Sequence, residues 1–434
     1  MDETLRMRGR RVRRPAHDSS VMATYLDLAN DRRDDLVTLR HALHQDPEIG
    51  LQLPRTQQRV LDALDTLPLE ITLGQRTSSI TAVLRGTHPD RPSTDAPVVL
   101  LRADMDGLPV PEETGLWYAS KVPGAMHACG HDLHTSMLAT AAALLAERQA
   151  DLQGDVVLMF QPGEEMHDGA AVMVEEGVLD AAGRRVDAAY GMHVFSALVP
   201  QGQFVSRRGA MLAAADGFLV TIRGKGGHGS TPHTALDPVP VACELVGALQ
   251  TLVTRRFSIF DPIVVNVGSI HAGEAPNVIP EFAELKASVR SWSHEAKAQF
   301  RSDAERLARG IAGAYGMTAE VTHIDGYPVT LTTPAETDFV ADTVADLFGR
   351  ERFTHMEHPF AGSEDFSRVL AQVPGSFIGL GAVPAGIDPA TAPFNHSSYA
   401  QYDDAVLPLG TALYAELATR RLARLAADRL PASH

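Results

Sequence analysis

Residues 156–165 read Val156-Val157-Leu158-Met159-Phe160-Gln161-Pro162-Gly163-Glu164-Glu165. An unbroken apolar run of this length, stopped by Pro-Gly, has the pattern of a strand buried on both faces, as in a parallel sheet. Two adjacent carboxylates follow the turn. They stand beyond the strand's C-terminal end, where open α/β sheets build their sites. Further short apolar strands are expected at 80–84, 98–101 and 188–194. Between them, 132–146 is an Ala-rich helix opened by Asp132 near its positive end, and 170–176 is a second helix. Ahead of the strands, Leu26, Leu28, Leu36, Leu39 and Leu43 recur at helical spacing over 25–44, and 57–67 reads as another helix. Strands alternating with helices predict an α/β sheet covered by helices.

The pattern changes near 207–215. Strand 218–222, helix 237–254, strands 263–270 and 283–289, helix 294–314 and strand 319–323 give the order β-α-β-β-α-β of a small ferredoxin-like unit. It is an insertion, because the α/β pattern resumes with helices at 334–347 and 365–370, strand 376–380 and a long closing helix at 403–426. The expected divisions are a basic tail at 1–21, catalytic parts at 22–210 and 326–434, and an inserted domain at 211–325.

Composition narrows the function. The chain has 434 residues, 44% of them hydrophobic, and a formal charge of −16 from 38 basic and 54 acidic side chains. An acidic protein is poorly suited to nucleic acid, which demands basic surface to neutralise phosphates. The longest strongly apolar stretch, about 137–146, is half the roughly 20 residues of a spanning helix, so no membrane partner is expected. Two cysteines, Cys129 and Cys243, cannot build a disulfide framework, and the expected location is cytoplasmic. Cys243, in an apolar helix, reads as core. Six arginines crowd residues 6–14, but no apolar segment follows as an export signal requires. They read as a tail, with Met22 as the expected start of the working protein.

Candidate metal donors lie in four places: Cys129 and His131 in His127-Ala128-Cys129-Gly130-His131-Asp132, the Glu164-Glu165 pair, His193 at the end of strand 188–194, and His396 in the loop before the last helix. Nitrogen, sulfur and oxygen donors suit zinc and its neighbours. Paired carboxylates allow a division of labour, one binding metal while the other takes a proton from water. Singly, each residue is as easily a surface histidine, a solvated glutamate or a small buried thiol.

These motifs occur in order with Arg102-Ala103-Asp104-Met105-Asp106-Gly107-Leu108-Pro109, the run Gly224-Lys225-Gly226-Gly227-His228-Gly229-Ser230-Thr231-Pro232-His233, Asn277-Val278-Ile279-Pro280, and Gly362-Ser363-Glu364-Asp365-Phe366. Together they resemble the M20 metallopeptidase superfamily over roughly 36–417, and within it the amidohydrolase branch of hippurate, auxin-conjugate and N-acyl-amino-acid hydrolases. The resemblance implies a zinc-peptidase-like catalytic domain with a mixed central sheet flanked by helices, and an inserted ferredoxin-like α+β domain serving as lid and dimerisation element. It also implies two divalent metal ions per subunit, zinc or manganese, or else cobalt or nickel. Their ligands would be Cys129, His131, Glu165, His193 and His396, with Cys129 bridging. Glu164 would be the general base, Asp106 an orienting carboxylate behind the metals, and Asp104 a supporting group. His228 would assist the oxyanion, often across a homodimer, while Asn277 and Arg290 would hold the substrate, Arg290 by a carboxylate. The implied reaction cleaves a small amide with a free carboxylate, such as an N-acyl amino acid, to a carboxylic acid and an amino acid. A dipeptidase or carboxypeptidase is the alternative within the superfamily. The run Asn395-His396-Ser397-Ser398-Tyr399 departs from the Ser-Pro or Asn-Pro that usually follows the last ligand.

Three other readings carry less. Gly224-x-Gly226-x-x-Gly229 matches a dinucleotide fingerprint, but Pro232 and Pro238 delay the helix that would face a pyrophosphate. A cysteine hydrolase built on Cys129 leaves the glutamate pair without a role, and a non-catalytic binding protein leaves the whole donor set without one. His127, His134 and His233 are held as supporting or substrate-contact residues.

Overall fold

The computed structural model describes residues 23–429. The arginine-rich tail and the Met22 start lie outside the described residues. No helix among the described residues is long and apolar enough to cross a membrane.

Four strands, Asp155–Gln161, Val98–Asp104, Ala188–Phe195 and Gly375–Gly381, lie side by side in that order and run parallel. All but one of their residues are buried, because helices cover both faces. Antiparallel Ile80–Arg85 and Leu69–Leu73 extend one edge. Phe204–Ser206 and Phe353–His355 extend the other, completing an eight-stranded mixed sheet. The short outer strands escaped the sequence because three to five residues, mostly exposed on Leu69–Leu73 and Phe353–His355, carry little apolar pattern. From the central strand Val98–Asp104 the chain steps to Asp155–Gln161 on one side, then returns to Ala188–Phe195 on the other. This reversal opens a crevice at the C-terminal ends of the strands.

One face is covered by Arg33–His44, Pro54–Leu64, His131–Glu147 and the closing helix Leu407–Arg429. The opposite core, around Met173, Phe366 and Phe377, lies under Gly169–Glu175 and Ser367–Leu370. The first helical stretch is two helices, Tyr25–Asp31 and Arg33–His44, broken at Arg32 by non-helical angles. Thr24 caps the first in a reciprocal box with Asp27.

The inserted unit has the expected order. Its four strands, Ile263–His271, Phe282–Ser291, Ala214–Arg223 and Thr318–Ile324, pair antiparallel in that spatial order. Helices Pro238–Arg256 and His294–Ala314 pack on one face through Phe218, Leu245, Leu249 and Phe300. The Gly224–Gly229 run lies well before the helix, whose N-cap is Asp237, so the strand–turn–helix context of a nucleotide site is absent there. Cys243 corrects an expectation: it is exposed rather than core, since Val241, Ala242 and Leu245 form the buried stripe and Cys243 turns outward.

Phe218 is fully buried and meets Phe300 edge to face at 5.4 Å. Phe218→Ala is expected to destabilise the inserted unit by about 3–5 kcal/mol, read as an earlier unfolding transition in urea. A loss below about 1 kcal/mol would contradict this packing.

Candidate active site

Three strand ends and two loops converge at the crevice. The helix His131–Glu147 begins there with Gly130 at its N-cap, φ +82°. A Cβ on Gly130 would come within 2.4 Å of Val194 Cγ2, so the residue between Cys129 and His131 must be glycine for the loop to lie this close to the strand. Cys129 Sγ is 3.3 Å from His193 Nε2 and 3.2 Å from His396 Nε2, and His396 Nε2 is 3.0 Å from Glu165 Oε1. His396 itself has φ +73°, unusual outside glycine. Asn395 holds that turn in place, accepting from Ser196 N and donating to the carbonyl of Val194. The chain's departure from the usual sequence after this histidine therefore leaves the imidazole aimed at Cys129.

Donor atoms of Cys129, His131 and His193 lie within 4.8 Å of one another. So do those of Cys129, Glu165 and His396, and of His131, Glu164 and Glu165. Cys129 belongs to two of these groups and Glu165 to two. His131 is fully buried, and neither ring nitrogen makes a hydrogen bond of good geometry, the nearest carboxylates, Asp104 and Asp106, standing 3.5 and 3.4 Å away. Buried polar atoms without partners are costly, and a pair of them on an imidazole amid thiol and carboxylate donors is the environment a cation satisfies. The donor set therefore fits divalent metal. Burial opposes a charge on His131, but Asp104, Asp106 and the Cys129 thiol outweigh it and hold the pKa well above the ordinary value. Hydrogen bonds to Cys129 and Glu165 push His396 up to about 10. Both shifts say that the surroundings favour positive charge.

The carboxylates behind these donors are fixed from several sides. Asp106 accepts from the backbone N–H groups of both Glu164 and Glu165, at 3.1 and 3.0 Å, and so sets the turn that carries the pair. His134 donates from Nδ1 to Asp104 and accepts the Val194 N–H on Nε2, which fixes it as a neutral tautomer and a support rather than a donor to metal. Arg102 is fully buried and gives Nε to Gln161 and its two Nη groups to Asp104, Glu364 and Asp365. Glu164, 6% exposed, faces Glu364 and Asp365. Burial first, then the Glu364 and Glu165 charges, raise its pKa well above the usual carboxylate range. Glu165 is held below that range: burial opposes this, but His396 and His131 outweigh it. The two neighbours are thus split, one toward holding a proton and one toward holding a cation.

A cleft of about 780 Å³ opens onto this cluster between the catalytic and inserted units. Cys129, Glu164, Glu165, His193 and His396 line its floor, and Phe195, Phe360 and Phe394 one wall. Arg290, half-buried on strand Phe282–Ser291, reaches in and donates from Nη1 to Ser363 Oγ at 3.2 Å. His228 and Asn277 are different. They sit together on the inserted unit, where His228 pairs with Val278 and the Gly229 N–H donates to the Asn277 carbonyl, both exposed and neither lining this cleft.

The family model described as "Peptidase family M20/M25/M40" matches residues 100–420. The chain belongs to this family. It is 35% identical over 404 residues to a thermostable carboxypeptidase of Saccharolobus solfataricus, covering 91% of this chain and 98% of that one. It is 36% identical over 422 residues to an IAA-amino acid hydrolase of Arabidopsis thaliana, covering 96% and 92%. A Bacillus subtilis protein described as a dinuclear metal binding peptidase from the M20 family superposes with TM-score 0.78 at 31% identity, covering 91% and 99%. This M20 chain is accordingly a metal-dependent hydrolase of amide bonds.

In this M20 site some residues carried no assigned role in the sequence. Arg102, Ser363 and Glu364 lay inside quoted motifs, and their functions appear only once distant segments meet. Tyr327 had no motif at all, yet it lines the cleft and donates to the carbonyl of Glu164 at 2.5 Å. Asp106→Asn replaces one acceptor by an amide NH₂ facing a backbone N–H. It is expected to destabilise the protein by about 1–3 kcal/mol and to cut turnover at least tenfold, checked by thermal unfolding and steady-state kinetics. A variant with parental stability and turnover would remove Asp106 from this role.

Proposed function

We propose that this hydrolase cleaves the amide bond of N-acyl amino acids or similar small conjugates, releasing a carboxylic acid and a free amino acid. The observation that carries the reading is Arg290: a guanidinium reaching into the same cleft as the donor cluster suits a substrate carboxylate bidentately. Cys129, His131, Glu165, His193 and His396 would hold two divalent ions, zinc or manganese by their donor chemistry, with Cys129 shared between them. When bound, such ions polarise the scissile carbonyl and make a water acidic enough to be deprotonated near neutral pH.

Glu164 accepts a proton from the attacking water as the C–O bond forms. It returns that proton to the amide nitrogen as the C–N bond breaks. Its raised pKa suits the second half of this shuttle, the return of the proton. The first half uses the ionised carboxylate, which cations held at the neighbouring donors would favour. Arg290 and Ser363 orient the carboxylate end. His228 would stabilise the oxyanion and Asn277 would contact substrate from a partner subunit, since both are exposed and lie outside the cleft of their own chain. A homodimer through the inserted unit is supported by its edge strand Ile263–His271, which pairs on one side only and exposes Val264 and Ile270. A cytoplasmic location is supported by the two cysteines, both free thiols.

The carboxypeptidase or dipeptidase reading uses the same parts, with Arg290 on a peptide C-terminus, and is favoured by the carboxypeptidase among the relatives. A panel of N-acyl amino acids and dipeptides, assayed by amine release, separates the two. Methyl esterification of the carboxylate is expected to lower kcat/KM about 10- to 100-fold. Arg290→Met should lower it similarly for the free acid and abolish the difference from the ester. Equal rates for acid and ester in the parent would overturn the carboxylate contact.

Glu164→Ala is expected to keep its bound metal, measured by elemental analysis, while turnover falls about 10²- to 10⁴-fold. Exhaustive chelation should abolish activity, and added zinc, manganese, cobalt or nickel should restore it. Full activity after chelation would contradict the metal mechanism and favour Cys129 as a nucleophile.

A further inference from the structure

The turn that carries Glu164 is not a regular helix. Glu165 has ψ +96°, and Met166 and Asp168 have φ +69° and +53°. Left-handed angles at two non-glycine residues in one turn are costly and persist only where neighbouring groups hold them. One such group is the Tyr327 hydroxyl, which donates to the Glu164 carbonyl at 2.5 Å and accepts the Asp168 N–H at 3.3 Å. It bridges the i and i+4 backbone groups that an ordinary helical turn would join directly. Burial raises the Tyr327 pKa above its ordinary value, with Asp365 and Glu164 adding to it, so the phenol stays protonated and can donate.

Tyr327 belongs to the segment that returns from the inserted unit to the catalytic unit, between strands Thr318–Ile324 and Thr330–Thr332. Its own carbonyl accepts the N–H of Ala215, on the outgoing segment, at 3.0 Å. The preceding Gly326 lies so close to that segment that a Cβ would stand 1.9 Å from the Ala215 carbonyl oxygen. Arg368 adds a second tie, donating to the Gly326 carbonyl at 3.0 Å and to Asp168 Oδ2 at 2.6 Å. The two connections to the inserted unit are therefore fastened to each other and to the Glu164 turn at one place.

We propose that Tyr327 is a positioning residue for the reaction: its hydroxyl sets the backbone at Glu164 and ties the base's placement to the seating of the inserted unit, which brings Arg290 to the cleft. This rests on the reading of Glu164 as the base. A misplacement of about 1 Å is enough to cost 10²-fold in rate, so loss of this one hydroxyl has a measurable consequence.

The test is Tyr327→Phe, which keeps the ring and removes only the hydroxyl, assayed on an N-acyl amino acid with metal content measured in parallel. The expected result is a kcat lower by about 10- to 100-fold, with KM within about twofold and metal content unchanged. Tyr315→Phe, at an exposed tyrosine of the inserted unit, serves as the control and should match the parent. In a Glu164→Asp background, where the base is already displaced, Tyr327→Phe should add little further loss. A kcat within about twofold of the parent, or a loss that multiplies in full on Glu164→Asp, would overturn the proposal. Should Tyr327→Phe not be recovered folded, Arg368→Gln loosens the same connection from the other tie and is expected to lower kcat at constant KM; parental kcat there would equally overturn it. Parental activity of Glu164→Asp and Glu164→Ala would instead overturn the assignment of the base, which separates the two failures.

Discussion

A single buried guanidinium organises the site. Arg102 has no solvent exposure, and its donors go to Gln161, Asp104, Glu364 and Asp365, which come from three distant parts of the chain. A buried charge is tolerated only when it is paired and its donors are satisfied, so these four partners are fixed in place by Arg102 as much as it is by them. The three carboxyl groups around it are not equivalent: burial raises the pKa of Glu364 and Asp365, whereas at Asp104 burial is outweighed by Arg102, His131 and His134, which hold it well below the usual range. Asp104, with Asp106 beside it, lies against the donor cluster, the two carboxylates standing 3.5 and 3.4 Å from the two nitrogens of His131. Burial, with Glu364 and Glu165 adding to it, keeps the Glu164 carboxyl reluctant to ionise. These surroundings thus favour positive charge at His131 and His396 and raise the proton affinity of Glu164.

This local field differs from what the net charge suggests. A formal charge of −16 makes the surface inhospitable to nucleic acid, yet the cleft has Arg290 at one end and a cation-favouring cluster at the other. An anionic small molecule can be drawn to such a cleft within an acidic protein, because the nearest charges dominate once water is excluded.

Much of this was legible in the sequence, for physical reasons. The parallel strands are buried on both faces, so runs such as 156–160 stand out as uninterrupted apolar stretches. The site lies at their C-terminal ends, so its donors follow those runs directly. The inserted unit announced itself by a change in element order, and its decoy glycine run was exposed by the late helix start at Pro238. Other features were not legible. Leu69–Leu73 and Phe353–His355 are short and largely exposed, so burial imposed little pattern on them. Cys243 sits one residue past a buried stripe, and apolar neighbours gave no sign of which way it faces. The partnership of Arg102 with Glu364, and of Tyr327 with Glu164, joins residues 262 and 163 positions apart, and no spacing rule reaches that far.

The proposal at the centre of this mechanism is that Cys129 would be shared between two cation positions, one completed by His131 and His193 and the other by Glu165 and His396. Anomalous diffraction from crystals of the metal-loaded protein, collected on either side of the absorption edge of the added metal, tests this directly. The account predicts two anomalous peaks per chain, both within bonding distance of Cys129 Sγ. A single peak, or peaks that leave Cys129 uncoordinated, would contradict it.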